Sequence, residues 1–276
     1  MSEQKVWFVT GASSGFGRLW SQAALARGDK VVATARKPET LDDLASKYGD
    51  SVLVLPLDVT DRAAVFAAVA RGHDHFGRLD VILSNAGYGY MSAIEEIDID
   101  KAKANFETNV WGTLHVIQAA LPYLRAQGSG HILTLSSIAG MVSLPTGGTY
   151  LASKWAVEAL SEGLSGEVAS FGIKVTIIEP GSFSTGFRAA TKLETAMPAY
   201  EKLRKEIHGR FNGAIIGDPE ATAPAILKLV DSDEPPLRLI LGNWLLPIVK
   251  QHYQNRIETW ERWADVSNAA QGAPKQ

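Results

Sequence analysis

Tyr150 and Lys154 stand four residues apart in a helical stretch, a spacing that sets both side chains on one helix face. A phenol titrates near about 10 and exchanges its proton poorly at neutral pH, but a close ammonium favours the ionised form. A Tyr–Lys pair of this kind is a candidate general acid–base device. Ser137 follows a short apolar run and offers a hydroxyl to hydrogen-bond a reacting oxygen, with Ser136 as the local competitor for that role.

A second grouping lies near the N-terminus, in Thr10-Gly11-Ala12-Ser13-Ser14-Gly15-Phe16-Gly17. Glycines between a strand and a helix permit a tight turn and close approach of backbone to a pyrophosphate, whose charge is favoured at a helix N-terminus. The spacing is G-x-x-x-G-x-G, not the common G-x-G-x-x-G. Further on, Val32-Ala33-Thr34-Ala35-Arg36-Lys37 ends the second strand with no carboxylate and two cations. An acidic residue there suits the ribose 2′-hydroxyl of NAD, and a basic one suits a 2′-phosphate. Arg36, with Ser13 as an added hydroxyl donor, therefore points to NADP(H).

These residues need a frame that brings them to one edge. Short apolar runs begin at Val6, Val31, Val52, Val81, Ile132, Val175 and Leu237, and helical patterns alternate with them, including 16–27, 104–126 and 151–170. Runs that are apolar on both faces suit parallel strands covered by helices. The alternation implies an α/β, Rossmann-type doubly wound parallel sheet of about seven strands with helices on both faces. No linker or repeat divides the chain, so residues 1–276 read as a single domain. Within it, 182–216 breaks the alternation and reads as a substrate lid, and 243–276 as a C-terminal extension.

The motifs, taken in order, resemble the short-chain dehydrogenase/reductase family, in its short single-domain branch. The residues carrying the resemblance are the turn from Thr10 to Gly17, Asn85-Ala86-Gly87, Ser137, and Tyr150 with Lys154. The resemblance implies an oxidoreductase that moves a hydride between the cofactor and a ketone/alcohol pair. Tyr150 would be its general acid or base, Lys154 would lower the tyrosine's pKa and hold the nicotinamide ribose, and Ser137 would polarise the substrate oxygen. Asn109 would complete the catalytic set by keeping a water in line. The resemblance also implies cofactor contacts from Gly11, Ser13, Ser14, Gly15, Phe16, Gly17, Arg36, Asp58, Val59, Asn85, Ala86 and Gly87. Pro180, Gly181 and Thr185 would meet the nicotinamide. An alanine followed by arginine after the second strand, here Ala35-Arg36, marks NADP preference in the family. A softer likeness to hydroxysteroid and retinol dehydrogenases implies a bulky apolar or aromatic substrate, with Tyr88, Tyr90, Met141, Val142, Leu144 and Phe183 as pocket candidates. Two alternatives stand beside this reading: a non-catalytic NADP-binding regulator, and dehydration or epimerisation on the same fold.

Bulk composition removes other classes. A net charge of -3 gives no electrostatic reason to expect nucleic acid as a partner, and zero cysteines exclude disulfides and thiolate nucleophiles. No targeting segment or membrane span is expected, so the reading is a cytoplasmic protein, a homodimer or homotetramer by resemblance. No metal site is expected: His73 and His75 suit the C-terminal turn of a helix, and adjacent Glu95 and Glu96 point apart. The tryptophans near the C-terminus read as packed core or dimer contact.

Overall fold

In Val6–Val9 (β1) alternate residues point to opposite faces of a sheet, and all four are buried: Val6 and Phe8 join one core, Trp7 and Val9 the other. That two-sided burial is why the run is apolar without interruption. The computed structural model describes residues 3–211 and 216–272, so part of the expected lid (212–215) and both chain ends lie outside the described residues.

The other strands of the main sheet are Lys30–Ala35 (β2), Val52–Pro56 (β3), Val81–Ser84 (β4), Gly130–Leu135 (β5), Ile173–Pro180 (β6) and Arg238–Leu241 (β7). All seven are parallel, in the order β3-β2-β1-β4-β5-β6-β7. The Rossmann-type sheet expected from the sequence is thus present. Helices Gly15–Ala26 (α1) and Asp42–Tyr48 (α2) cover the face that holds Trp7 and Val9; Trp20, Ala24 and Leu44 pack there. Arg62–Phe76 (α3) covers the other face through Val65 and Val69. Chain order reverses between β1 and β4, and ligands of open α/β sheets bind in the crevice at such a switch point.

The expected helix over 104–126 proves to be three pieces: Ile99–Phe106 (α4), a π-helical turn over Glu107–Trp111, and Gly112–Gln127 (α5). Gly148–Val168 (α6) carries Tyr150 and Lys154. The segment expected to be a lid contains Phe187–Ala190 (α7), forms a two-stranded parallel ribbon between Lys192–Leu193 and Tyr90–Met91, and continues into Glu201–Phe211 (α8). Ala223–Val230 (α9) returns to the sheet and buries Ile226, Leu229 and Val230.

Leu245–Arg262 (α10) and Ala264–Gln271 (α11) end the described chain. Trp260 and Trp263 are 64% and 58% exposed, which corrects the reading of them as core: only Leu245 of α10 is buried, so the helix leaves the sheet instead of lying on it. No described helix is long and apolar enough to cross a membrane.

Candidate active site

The glycine turn closes around Asn85. A Cβ on Gly17 would fall 2.5 Å from both Asn85 Nδ2 and Gly11 O, and one on Gly11 would meet Asn85 Nδ2 at 3.0 Å. Gly11 and Gly15 also hold left-handed backbones, φ +67° and +54°, which side chains rarely adopt. Asn85 Nδ2 donates to the carbonyls of Thr10 and Gly11, at 2.9 and 3.1 Å. Thr10, fully buried, accepts at Oγ1 from the N–H groups of Asn85 and Ala86. The threonine thereby fixes the loop after β4 to the loop after β1. Outside this knot, Ser13 and Ser14 are exposed at the start of α1, Ser14 makes no side-chain cap, and the first turn holds no acid. Open N–H groups at a helix N-terminus free of negative charge fit a pyrophosphate, so the turn passes a physical test for a dinucleotide.

Arg36 follows β2 and is exposed, with no ion pair among the described residues. Asp58 is exposed after β3, its Oδ1 accepting from Thr60 N and Oγ1, while Val59 is buried and its carbonyl lies 3.1 Å from His115 Nδ1. Arg18 is taken up by α2 and the turn before it: it donates to Thr40 O at 2.9 Å and pairs with Asp43.

A cavity of about 590 Å³ opens beyond the turn. Ser137, Tyr150 and Lys154 line it together with Phe16, Asn85, Gly87, Pro180, Gly181 and Thr185. Nine of the catalytic and cofactor-binding residues singled out by sequence are therefore gathered at one hollow. A second depression, outside α8 at Glu201, Lys202 and Lys205, holds none of them.

Ser137 caps the short turn 138–140, accepting from Ala139 N at 3.2 Å, and its hydroxyl donates to Pro180 O at 3.4 Å. Lys154 Nζ donates to Leu135 O at 2.7 Å and stands 5.9 Å from the centre of the Tyr150 ring. Burial pushes the Tyr150 phenol up to about 12, against a smaller downward pull from the Ser137 hydroxyl. Burial also brings the Lys154 ammonium down to about 8, against an upward pull from Glu158. The expected lowering of the Tyr150 pKa by Lys154 is thus not what this geometry gives: desolvation dominates, and the ammonium is drawn to a backbone carbonyl.

Asn109 sits in the π-helical turn, where such irregularities in a helix often mark functional positions. Its Oδ1 accepts from Tyr88 N at 3.0 Å; its Nδ2 donates to Tyr88 O and Ser153 Oγ, both at 3.0 Å. The side chain is spent on joining the loop after β4 to α6, and Ser153 in turn donates to Tyr150 O at 2.7 Å. Gly87 lets this happen, since a Cβ there would lie 3.0 Å from Asn109 Oδ1.

The remaining wall is mostly apolar, with Met91, Val142, Leu144, Leu151, Phe183 and Phe187, and carries Arg188 and Thr191 among its few polar side chains. Tyr88, Tyr90 and Met141 do not line it. Tyr90 is fully buried and its hydroxyl accepts from Asp98 N at 2.9 Å; Met141 is also buried. Phe187 of the lid packs over Tyr150, ring centres 5.4 Å apart, a contact that a divergent lid sequence does not announce. Glu95 and Glu96 have a use the sequence does not reveal. Glu96 accepts from Ala93 N, Met197 N and Arg204, and Glu95 from Tyr200 Oη at 2.6 Å, so both tie the lid to the loop after β4.

Comparison with known proteins places this geometry. The family model for short chain dehydrogenases matches residues 5–196. The chain is 40% identical over 276 residues to the oxidoreductase BOA17 of Botryotinia fuckeliana, covering 96% of this chain and 99% of that one. A crystal structure of a short-chain dehydrogenase from Streptomyces avermitilis is 40% identical, with a TM-score of 0.90 over 98% of this chain and 100% of that one. More distant structures include an alcohol dehydrogenase from Thermococcus sibiricus complexed with 5-hydroxy-NADP (27% identical, TM-score 0.73, 87% and 96% covered) and a family member from Burkholderia phymatum in complex with NAD (25%, 0.80, 93% and 95%). The chain belongs to the short-chain dehydrogenase family of oxidoreductases.

Proposed function

We propose that the protein is an NADPH-dependent carbonyl reductase, or alcohol dehydrogenase in the reverse direction, for bulky apolar or aromatic ketones. The observation that carries this reading is one cavity in which Tyr150, Ser137 and Lys154 meet a mostly apolar wall. NADP(H), when bound, supplies and accepts the hydride. The protein's share is position, proton and dryness. Arg36, exposed and without an ion pair among the described residues, suits a 2′-phosphate; Ser13, Ser14, Gly15 and Gly17 suit the pyrophosphate, and Asp58 and Val59 would flank the adenine. Pro180, Gly181 and Thr185 line the cavity where the nicotinamide end would lie.

Ser137 Oγ orients the substrate oxygen. A phenol held near about 12 keeps its proton at Oη throughout the neutral range, the form needed to donate to a ketone oxygen. Lys154 beside it stabilises the negative charge left on Tyr150 after donation. Phe187 and the apolar wall exclude water, which strengthens these polar interactions. Trp111, in the π-helical turn before α5, and Leu160, on α6, are exposed apolar side chains that a homo-oligomer, which the family resemblance implies, would cover.

The test is NADPH oxidation with small, aromatic and steroid-sized ketones, run with Tyr150→Phe alongside. Turnover favouring the larger ketones is expected, with a loss of about a thousandfold in the variant. NADPH binding without turnover across the panel would replace this reading with a regulatory one.

A further inference from the structure

The face of α6 that presents Tyr150 and Lys154 continues one turn further to Glu158. Its side chain is 6% exposed, and Arg238 of β7 donates to it from Nε at 3.0 Å. Arg238 also reaches Glu162 at 2.8 Å and lies 3.4 Å from Glu179 Oε1. Glu179, immediately before Pro180-Gly181, is wholly inaccessible. Both its oxygens and Oε1 of Glu158 lack a hydrogen-bond donor among the described residues, and Ser136 Oγ is buried without a partner. A Cβ on Gly140 would lie 2.5 Å from Ser136 Oγ and 3.1 Å from Glu158 Oε1, so the hydroxyl and the carboxylate share one small space behind the cavity floor.

Charge balance decides how this cluster is protonated. Lys154 and Arg238 supply two cations, and Glu158, Glu162 and Glu179 offer three carboxyl groups. Two buried carboxylates facing each other across one guanidinium cannot both stay ionised at low cost. Glu162 is exposed and keeps its charge, and Glu158 has the direct bond to Arg238. Burial pushes both carboxyl groups up, but Ser136 and Arg238 pull Glu158 back, whereas Glu179 is pushed up to about 8 with the Glu158 charge adding to burial. The proton therefore belongs on Glu179. A protonated Glu179 becomes the donor that Glu158 lacks.

We infer that Glu158 is a positioning residue of the active site: held ionised by Arg238 and by a proton on Glu179, its carboxylate keeps Lys154 cationic inside the cavity. The inference rests on the function proposed above, because a cationic Lys154 matters to Tyr150 only if Tyr150 moves a proton. Lys154 and Glu158 stand one turn apart on the same helix face and each is 5% exposed, so little water lies between their charges. Burial works to strip the ammonium of its proton, and among the described residues Glu158 is the carboxylate acting against it. The groups facing Lys154 and Glu158 are Tyr150 and Glu162 on the same helix, Ser136 and Ser137 after β5, Glu179 on β6 and Arg238 on β7. The π-helical turn contributes Asn109, which is uncharged.

The experiment reads Lys154 directly in the cofactor-free protein. Trace acetylation with acetic anhydride across a pH series, followed by peptide mapping, gives the pH at which Lys154 becomes reactive. The midpoint is expected at about 8 in the wild type and about one unit lower in Glu158→Gln. Glu179→Gln, whose amide has the shape of the protonated acid, should leave the midpoint in place, and Glu158→Asp should restore part of the loss. The alkaline limb of kcat/KM for ketone reduction should move with the midpoint. A purely structural role would lower stability in Glu158→Gln and leave the midpoint alone, and that result overturns the inference. So does a Glu179→Gln shift as large as that of Glu158→Gln. If Glu158→Gln does not fold, Glu158→Asp and Glu179→Gln still discriminate. Absence of turnover in the wild type would count against the proposed function, while the labelling midpoint continues to judge Glu158.

Discussion

Arg36 sits where β2 ends, exposed and without an ion pair among the described residues, while the neighbouring cation Arg18 is committed to Thr40 and Asp43. A guanidinium left unpaired can meet a phosphate bidentately, whereas a ribose hydroxyl offers it little. Arg36→Leu is therefore expected to raise KM for NADPH by about thirtyfold and to leave KM for NADH within a factor of about two. Initial-rate measurements with both cofactors check this, and equal losses for the two would remove Arg36 from 2′-phosphate recognition. At this scale much was legible in the sequence. Tyr150, Lys154, Ser137 and the glycine turn announce themselves because chemistry restricts their types and spacing. Glu158 and Glu179 do not, because an acid buried against another acid is visible only when strands and helix are brought together. Asn109 is legible as a motif residue, but its full commitment to Tyr88 and Ser153 is a matter of geometry.

Elements that bend or stand off the sheet were harder to read than elements that pack. The strands were legible because two-sided burial demands uninterrupted apolar runs. The π-helical turn over 107–111 was not: hydrophobic periodicity follows a stripe, and a slip of one residue leaves the stripe nearly intact. The lid is the other case. Its ribbon with Tyr90–Met91 is only two residues long, and carboxylates do much of the holding. Glu194 takes Tyr90 Oη at 3.0 Å and Lys101 Nζ at 2.5 Å, Glu95 takes Tyr200, and Glu96 takes Arg204 and two backbone N–H groups. Burial pushes the Glu96 carboxyl up, but Met197 N, Arg204 and Ala93 N together hold it below the usual carboxylate value. A carboxyl with a depressed folded pKa keeps its contribution above the unfolded value and loses it as pH falls through the folded one. The latch therefore holds at neutral pH and weakens only in acid. Glu96→Ala is expected to loosen the lid at pH 7, raising KM for ketone about three- to tenfold with a smaller change in kcat. Steady-state kinetics with limited proteolysis within 194–204 provides the check; unchanged KM and cleavage would mean that Glu96 does not hold the lid.

At the scale of the whole molecule two of the buried titrating groups, His131 and Glu179, act with opposite sign on stability against pH in the mildly acid range. His131 on β5 is 4% exposed. Thr176 Oγ1 donates to Pro236 O at 2.7 Å, so it can only accept from His131 Nε2 at 2.9 Å, and Nδ1 is left bare. Burial, helped by the charges of Lys174 and Lys5, brings His131 down to about 3 from its ordinary 6.5. Below 6.5 the unfolded chain binds a proton that the native state refuses, so stability falls as pH drops from 6.5 toward 3. Glu179 acts the other way. Its native carboxyl holds a proton up to about 8, the unfolded one only to 4.5, so stability falls as pH rises through that window. Between pH 5 and 6 the two slopes, each about 1.4 kcal/mol per pH unit at most, cancel. Stability of the wild type, measured by urea unfolding, should accordingly be nearly flat there. His131→Gln retains a donor for Thr176 but does not titrate, and its stability should fall with rising pH across that interval. Glu179→Gln should show the opposite slope. If both variants stay flat, neither group is buried in the protonation state assigned to it. If only His131→Gln acquires its slope, the shared proton lies elsewhere in the Glu158–Arg238 cluster, because removing Glu179 would then remove no native proton.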